Sequence, residues 1–424
     1  MRRPLIGLLT IALAACAGCT EPTGSPERPN VLLITIDTLR ADRLSAWGYE
    51  KPTSPAIDRL AAESVVFLNA QSSSSWTLPS LASLLTSQYA STLDLWYYGE
   101  HLDPAFETLT ERLAAAGYRT FGIGSHIYLG ERFGLTQGFE EYDSELVLDQ
   151  MPSQLAISSP GVTAKALAWL RAHGSGERPW LLWAHYFDPH SLYHPHPGIS
   201  DAFGIESDSE RYDGEIAFTD AAVGELLVGL EQLGLAPNTI VALTADHGEE
   251  FEERGRTGHG FHVHQEVVHV PLIFRSPGAA PRRIETRVAL VDVLPTLLEL
   301  TGLDADDELA GRSLAPALRG EPLEPVPTLS EVRLHGAEDS LSVGRWKLIR
   351  DHRAQKIRLY DLAADPGERT NLAAVQPEIA HELGVALGKR VRAAKARGET
   401  VERTPARSLT DEELGRLRDL GYVE

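Results

Sequence analysis

Several uninterrupted apolar runs in this sequence end in side chains that bind metals or anions. Val31 to Ile36 ends at Asp37, Thr239 to Leu243 ends at Asp246-His247, Trp180 to Trp183 leads to His185, Asp188 and His190, and Thr120 to Ile123 leads to His126. A single Asp at a strand end is most often a loop residue or a helix cap. Four such ends in one chain fit an open parallel sheet, whose ligands sit beyond the carboxyl ends of its strands. Carboxylates and imidazoles gathered there are the groups that hold a divalent cation and steady the charge of an ester group in transfer.

A second feature is the stretch Ser75-Trp76-Thr77-Leu78-Pro79-Ser80-Leu81, a serine-rich loop running into an apolar helix with Pro79 at or near its first turn. A hydroxyl at such a start faces free amides and the positive end of the helix dipole, which suits an anionic ester group. Thr77 stands at that point, although read alone it is simply the cap of the helix. Nine of the fifteen histidines fall between His185 and His269, more than one ion could use. His259, in Gly258-His259-Gly260, is the foremost candidate for a second metal or a substrate contact, followed by Asp188 with His190 and His194. His196, His262, His264 and His269 read as loop or core residues.

The elements that must position these groups alternate. Apolar runs at Val31 to Ile36, Thr120 to Ile123, Trp180 to Trp183, Thr239 to Leu243 and Pro271 to Phe274 suit strands buried on both faces. Helices fit between them at Ser54 to Glu63, with Ser54 as N-cap and Pro55 in the first turn, at Phe106 to Ala116 and at Glu215 to Leu233. The fold expected is therefore α/β, a three-layer sandwich around a large, mostly parallel sheet. Around Gly311 to Pro327 the texture changes, and Leu341 to Ile349 with Lys356 to Tyr360 alternate like a hairpin, which places a small C-terminal α+β subdomain there. Pro377 to Arg397 reads as a helix with a solvated basic face.

A chain of 424 residues with 43% hydrophobic content can bury a sizeable core. Its 39 Lys+Arg against 60 Asp+Glu leave a formal charge of −21, which repels a phosphate backbone and excludes nucleic acid as the expected partner. Arg2 and Arg3 followed by the apolar run Leu5 to Leu13 read as an export signal too short to span a bilayer. Leu13-Ala14-Ala15-Cys16 resembles the bacterial lipobox, which makes Cys16 the lipidated residue and predicts a chain anchored to a bacterial membrane with its folded domain in the periplasm or at the cell exterior. The two cysteines, Cys16 and Cys19, both lie in this segment, so the fold must stand without disulfides. The expected division is residues 1–19 signal peptide, 20–29 linker, 30–320 catalytic domain and 321–424 C-terminal subdomain and helical tail.

From Asn30 onward the chain resembles the sulfatase family of the alkaline phosphatase superfamily. The resemblance rests on Asn30-Val31-Leu32-Leu33-Ile34-Thr35-Ile36-Asp37-Thr38-Leu39-Arg40-Ala41-Asp42, on Thr244-Ala245-Asp246-His247-Gly248-Glu249-Glu250, and on Gly258-His259-Gly260. Val291-Asp292-Val293-Leu294-Pro295-Thr296 and the C-terminal Lys347-Leu348-Ile349, Leu359-Tyr360-Asp361-Leu362 and Asp365-Pro366-Gly367-Glu368 extend it. It implies that Asp37, Asp246 and His247 bind a divalent metal with Thr77 completing the shell. Mixed carboxylate, imidazole and hydroxyl ligation favours Zn or Mn over Ca, with one or two ions. It further implies that His190 contacts the substrate and that His126 lies near the transferred group.

The chain departs from the family at the nucleophile, and the Lys that classical sulfatases place after the His-Gly has no clear equivalent here. Formylglycine-dependent sulfatases carry Cys or Ser followed by x-Pro-x-Arg, and here the register reads Thr77-Leu78-Pro79-Ser80-Leu81. Threonine would yield a ketone, not an aldehyde, and Leu81 stands at the Arg position. The departure resembles instead the branches that cleave or transfer phosphodiesters, phosphonates and phospholipid headgroups through a covalent threonine adduct. The expected function is thus a metal-dependent hydrolase or headgroup transferase acting on a small-molecule, glycan or lipid ester, with Thr77 as nucleophile and His190 or His259 assisting. The alternatives are a sulfatase that works without formylglycine, and an inactive surface lipoprotein that binds anionic glycan or lipid.

Overall fold

A computed structural model of the chain describes residues 28–148, 157–404 and 408–419. Cys16, the export segment and most of the linker lie outside the described residues. The strands in chain order are β1 (Asn30–Ile36), β2 (Val65–Gln71), β3 (Arg119–Ile123), β4 (Glu141–Asp143), β5 (Trp180–Tyr186), β6 (Thr239–Ala245), β7 (Glu250–Phe251), β8 (Thr257–Gly258) and β9 (His269–Arg275). They continue with β10 (Arg282–Ile284), β11 (Val288–Ala289), β12 (Thr328–Val332), β13 (Glu338–Val343), β14 (Trp346–Asp351) and β15 (Lys356–Asp361).

The large sheet runs β10-β2-β9-β6-β1-β5-β3-β4, with β11 beside β2. β1 sits at its centre, parallel to both β5 and β6. All seven residues of β1 are buried, as are those of β5 and β6, because helices cover both faces; this is why these strands read as unbroken apolar runs. β9 alone opposes its neighbours, pairing antiparallel with β2 and β6. The architecture is the mostly parallel α/β sandwich expected, and among the described residues no helix is long and apolar enough to cross a membrane.

Helix starts follow their caps. The helix Leu109–Ala115 begins three residues later than its apolar pattern because Thr108 and Glu111 form a reciprocal capping box. Asp208–Gln232 begins seven residues earlier than expected because Ser207 and Glu210 form another. The buried helix Thr77–Thr86 carries Thr77 at its first position. Its long polar approach, from Ser72 to Ser75, is wholly buried.

The C-terminal sheet is antiparallel, in the order β12-β13-β14-β15. Leu341 to Ile349 proves to be two strands, not one, since Gly344 turns the chain with a φ of 56°. The helix Pro377–Glu399 packs on this sheet through Leu383 and Leu387. β12 runs along the loop before Thr77: Glu331 N–H donates to the Ser73 carbonyl at 2.9 Å, Ser330 Oγ to the Ser72 carbonyl at 2.7 Å, and Ser74 Oγ to the Glu331 carbonyl at 2.8 Å. The loop after β8 is tied in as well, because Gly260 N–H donates to the Ser75 carbonyl while its own carbonyl accepts from His335 and Gly336.

Candidate active site

β1 and β6 end side by side, so Asp37 and Asp246-His247 leave neighbouring strands at one edge of the sheet. Their ligand atoms all lie within 4.8 Å of one another, and all three residues are buried. His247 Nε2 is 3.7 Å from Asp37 Oδ1 and 3.5 Å from Asp246 Oδ2. Asp246 Oδ1 is held by the backbone N–H groups of His247 at 2.8 Å and Thr38 at 3.3 Å, which leaves Oδ2 to face the group. Thr77 Oγ1 stands 3.3 Å from His247 Nε2, brought there by the first turn of its helix.

The arrangement fits a divalent cation. Both carboxylate oxygens of Asp37 and Oδ2 of Asp246 are sealed from solvent and receive no hydrogen bond from any described residue. Two facing carboxylates in such a place are costly without a counter-charge. Burial, and then the charge of Asp246, push the Asp37 carboxyl well above the usual range. Burial alone would lower His247, yet the charges of Asp246 and Asp37 raise it. A cation among these donors removes both strains.

Around the group stand further imidazoles. His185 reaches Asp37 Oδ2 from β5 with Nε2 at 3.4 Å, and its Nδ1 meets Thr35 Oγ1 at 2.8 Å. The His259 ring lies 4.4 Å from that of His247 and 5.0 Å from that of His190, and His190 lies 5.8 Å from His126. Burial lowers all of these imidazoles, His185 to about 4 and His190 to about 3, and His126 and His259 well below the ordinary value. They are neutral at physiological pH, so they accept protons or ligate rather than carry positive charge. His259 Nδ1–H donates to Glu249 Oε1 at 2.9 Å, and the other Glu249 oxygen accepts from Tyr193 Oη at 2.9 Å.

Asp37, Thr77, Asp246, His247 and His259 therefore come together as expected, with His190 and His126 beside them. Asp188 does not join the group. Its Oδ1 accepts from Ser158 N–H at 2.6 Å and Ser158 Oγ at 2.7 Å, and its Oδ2 from Ser159 N–H at 2.8 Å. The expected metal ligand is thus corrected to a cap on the helix Ser159–His173, where a carboxylate satisfies free amides. His194 is also outside the group, half-buried beside Glu215 in a shallow depression with Asp188 and His190.

Two participants were visible in the sequence but given no specific role. His185 stood among the groups following Trp180 to Trp183, and it lies within the strand itself; its pairing opposite Thr35, next to Asp37, is what aims it at the site. Glu249 lay inside a motif already noted, and only the folded loop discloses that it orients His259.

Comparison with known proteins identifies a family. The family model described as Sulfatase matches residues 29–303, and that of the N-sulphoglucosamine sulphohydrolase C-terminal region matches residues 259–396. Arylsulfatase K of Bos taurus is 27% identical over 440 residues, covering 84% of this chain and 81% of that protein. A structure solved in complex with its substrate D-glucosamine-2-N,6-O-disulfate superposes with a TM-score of 0.74 at 19% identity, covering 88% of this chain and 100% of the other. Phosphonate monoester hydrolase of Agrobacterium radiobacter superposes with a TM-score of 0.73 at 22% identity, covering 88% and 96%. These two likenesses are of fold.

Proposed function

Since the chain belongs to the sulfatase family, whose members are ester-bond hydrolases of the alkaline phosphatase superfamily, we propose that it transfers the anionic group of its ester substrate to Thr77 and then to water or an acceptor alcohol. The observation that carries this reading is the 3.3 Å approach of Thr77 Oγ1 to His247 Nε2 within the buried Asp37, Asp246 and His247 group. Those three side chains, with Thr77, would hold a divalent cation of the Zn or Mn kind; when bound, such an ion lowers the pKa of the hydroxyl and offsets charge on the transferred group.

Thr77 then forms a bond from Oγ1 to phosphorus or sulfur as the bond to the leaving oxygen breaks. The hydroxyl proton must go to a neutral base, and His190 and His259 are both held neutral by burial. The histidine that accepts it can return it to the leaving oxygen, which balances the step. Glu249 fixes His259 with Nδ1 as donor, so that Nε2 carries the lone pair. In the second step water, or an alcohol in a transferase, displaces the group from Thr77.

A phosphodiester or phosphonate is the substrate class favoured here, because Thr77 cannot become an aldehyde and Leu81 replaces a guanidinium. A sulfated sugar is the second reading, favoured by the relatives: Arylsulfatase K by its name, and the fold neighbour by the disulfated glucosamine it holds. Turnover of matched nitrophenyl sulfate, phosphate, phosphodiester and phosphonate esters, with and without Zn and Mn and beside Thr77→Ala, decides between them. Sulfate cleavage that survives Thr77→Ala would overturn the nucleophile itself.

The lipobox-like segment supports attachment to a membrane through a lipid on Cys16, with the catalytic domain outside the cytoplasm. Metabolic labelling with a radioactive fatty acid tests this: Cys16→Ser should abolish incorporation, and label retained in that variant would exclude the site.

A further inference from the structure

A cavity of about 950 Å³ opens where the loop after β1, Asn69 of β2 and the segment between β10 and β11 face the C-terminal sheet. None of Thr77, Asp37, Asp246, His247, His190 or His259 lines it. The Asp365-Pro366-Gly367-Glu368 signature, which has no part in the reaction, supplies Pro366 and Gly367 to its wall.

On a chain of net charge −21, five arginines border this one cavity: Arg40, Arg254, Arg287, Arg345 and Arg369. Three are answered within the protein. Arg40 pairs with Asp42 at 2.8 Å and Glu253 at 2.6 Å, Arg254 with Glu266 at 2.9 Å, and Arg345 with Asp361. Arg287 and Arg369 have no carboxylate at ion-pair distance among the described residues. Arg287 gives Nη1 to the Gly344 carbonyl at 3.1 Å, but its Nε is buried with no acceptor, and so is Nε2 of Gln265. Buried donors left without acceptors cost free energy that a ligand oxygen would recover. Against this pair the wall sets one unanswered acid, Glu285, which is exposed.

Guanidinium groups recognise tetrahedral oxyanions through paired N–H donors. The cavity is far larger than a free anion and falls in the range of pockets that enclose a small molecule. Asn69, Gln265 and Thr286 give the remaining wall neutral donors and acceptors suited to hydroxyl groups. We propose that this cavity is a second binding site, separate from the reacting centre, for a sugar bearing a sulfate or phosphate ester, with Arg287 and Arg369 on the anionic group.

The test is calorimetric titration of the metal-loaded full chain with D-glucosamine-2-N,6-O-disulfate and, separately, with inorganic sulfate. The disulfate should bind to a class of sites that weakens roughly tenfold or more in Arg287→Gln and in Arg369→Glu, as expected for loss of a charge-assisted contact. Turnover of a nitrophenyl ester should be unchanged in both. Arg369 is exposed, so its substitution leaves the fold intact even where Arg287→Gln does not. Disulfate binding untouched by Arg369→Glu would overturn the proposal. Inorganic sulfate binding as tightly as the disulfate would also overturn it, since the site would then hold a bare anion and not a sugar.

Discussion

The hydroxyl of Thr77 and Nε2 of His247 stand 3.3 Å apart, both fully sealed from solvent, one from the start of a helix and the other from the end of a central strand. Thr77 Oγ1, at the first helical position, reaches a residue of another element that belongs to the buried carboxylate and imidazole group. Thr77→Ala should therefore lower kcat by roughly a thousandfold or more, while Thr77→Ser keeps measurable activity. Mass spectrometry of the enzyme quenched during turnover should find the transferred group on Thr77; an adduct elsewhere would refute the assignment.

Removal of the metal should cost stability as well as activity. With the cation gone, the buried carboxylates of Asp37 and Asp246 face each other uncompensated. An ion held at a hundred times its dissociation constant stabilises a protein by about 2.7 kcal/mol, so chelation should lower the melting temperature and Zn or Mn restore it. Asp37→Asn should lose the response to added metal. A melting curve indifferent to chelator would argue against the site.

Glu249 should act through His259. Glu249→Gln keeps the shape but can present an amide N–H to Nδ1, which reverses the tautomer of the imidazole. Partners of this type typically contribute about tenfold to a hundredfold. The expected result is a fall of that order in kcat with little change in KM or melting temperature, and a fall in kcat accompanied by a lowered melting temperature would instead indicate a structural role.

Glu331, on β12, is buried and accepts from Ser91 N–H at 3.1 Å, and burial raises its carboxyl to about 7. Because the folded value exceeds the unfolded one, its contribution to stability is complete below the unfolded value of 4.5 and is lost as pH rises through about 7. Between pH 5 and pH 8 that loss is about 2 to 3 kcal/mol. Urea unfolding of Glu331→Gln should show the variant gaining on the native protein by this amount across the same interval, whereas parallel profiles would assign the raised value no consequence.

The sheet and the metal group were legible because their signals are local. A strand buried on both faces has no choice but to be apolar throughout, and the first polar residue after it lands at the strand's carboxyl end; Asp37 and Asp246-His247 are such residues. Thr77 was legible for a similar reason, since Pro79 and the serines before it mark a helix start. Asp188 misled because the amides it caps, at Ser158 and Ser159, lie 30 and 29 residues away and depend on how a helix returns to the sheet. His185 and Glu249 needed register and loop conformation, which no spacing encodes. The paired strands of the C-terminal sheet showed in the sequence, but their grip on Ser72 to Ser74 did not.

That grip sets a timetable. The backbone partners of the loop before Thr77 are Ser330 and Glu331, and those of the loop bearing His259 are His335 and Gly336. A Cβ on Gly336 would stand 1.7 Å from the Phe261 carbonyl, so the two segments meet with no room to spare. A ribosome that has delivered every proposed metal ligand, the nucleophile and all the histidines around them has still not delivered what holds two of their loops in place. A chain cut before Ser330 should therefore carry every proposed reacting group and yet lack activity.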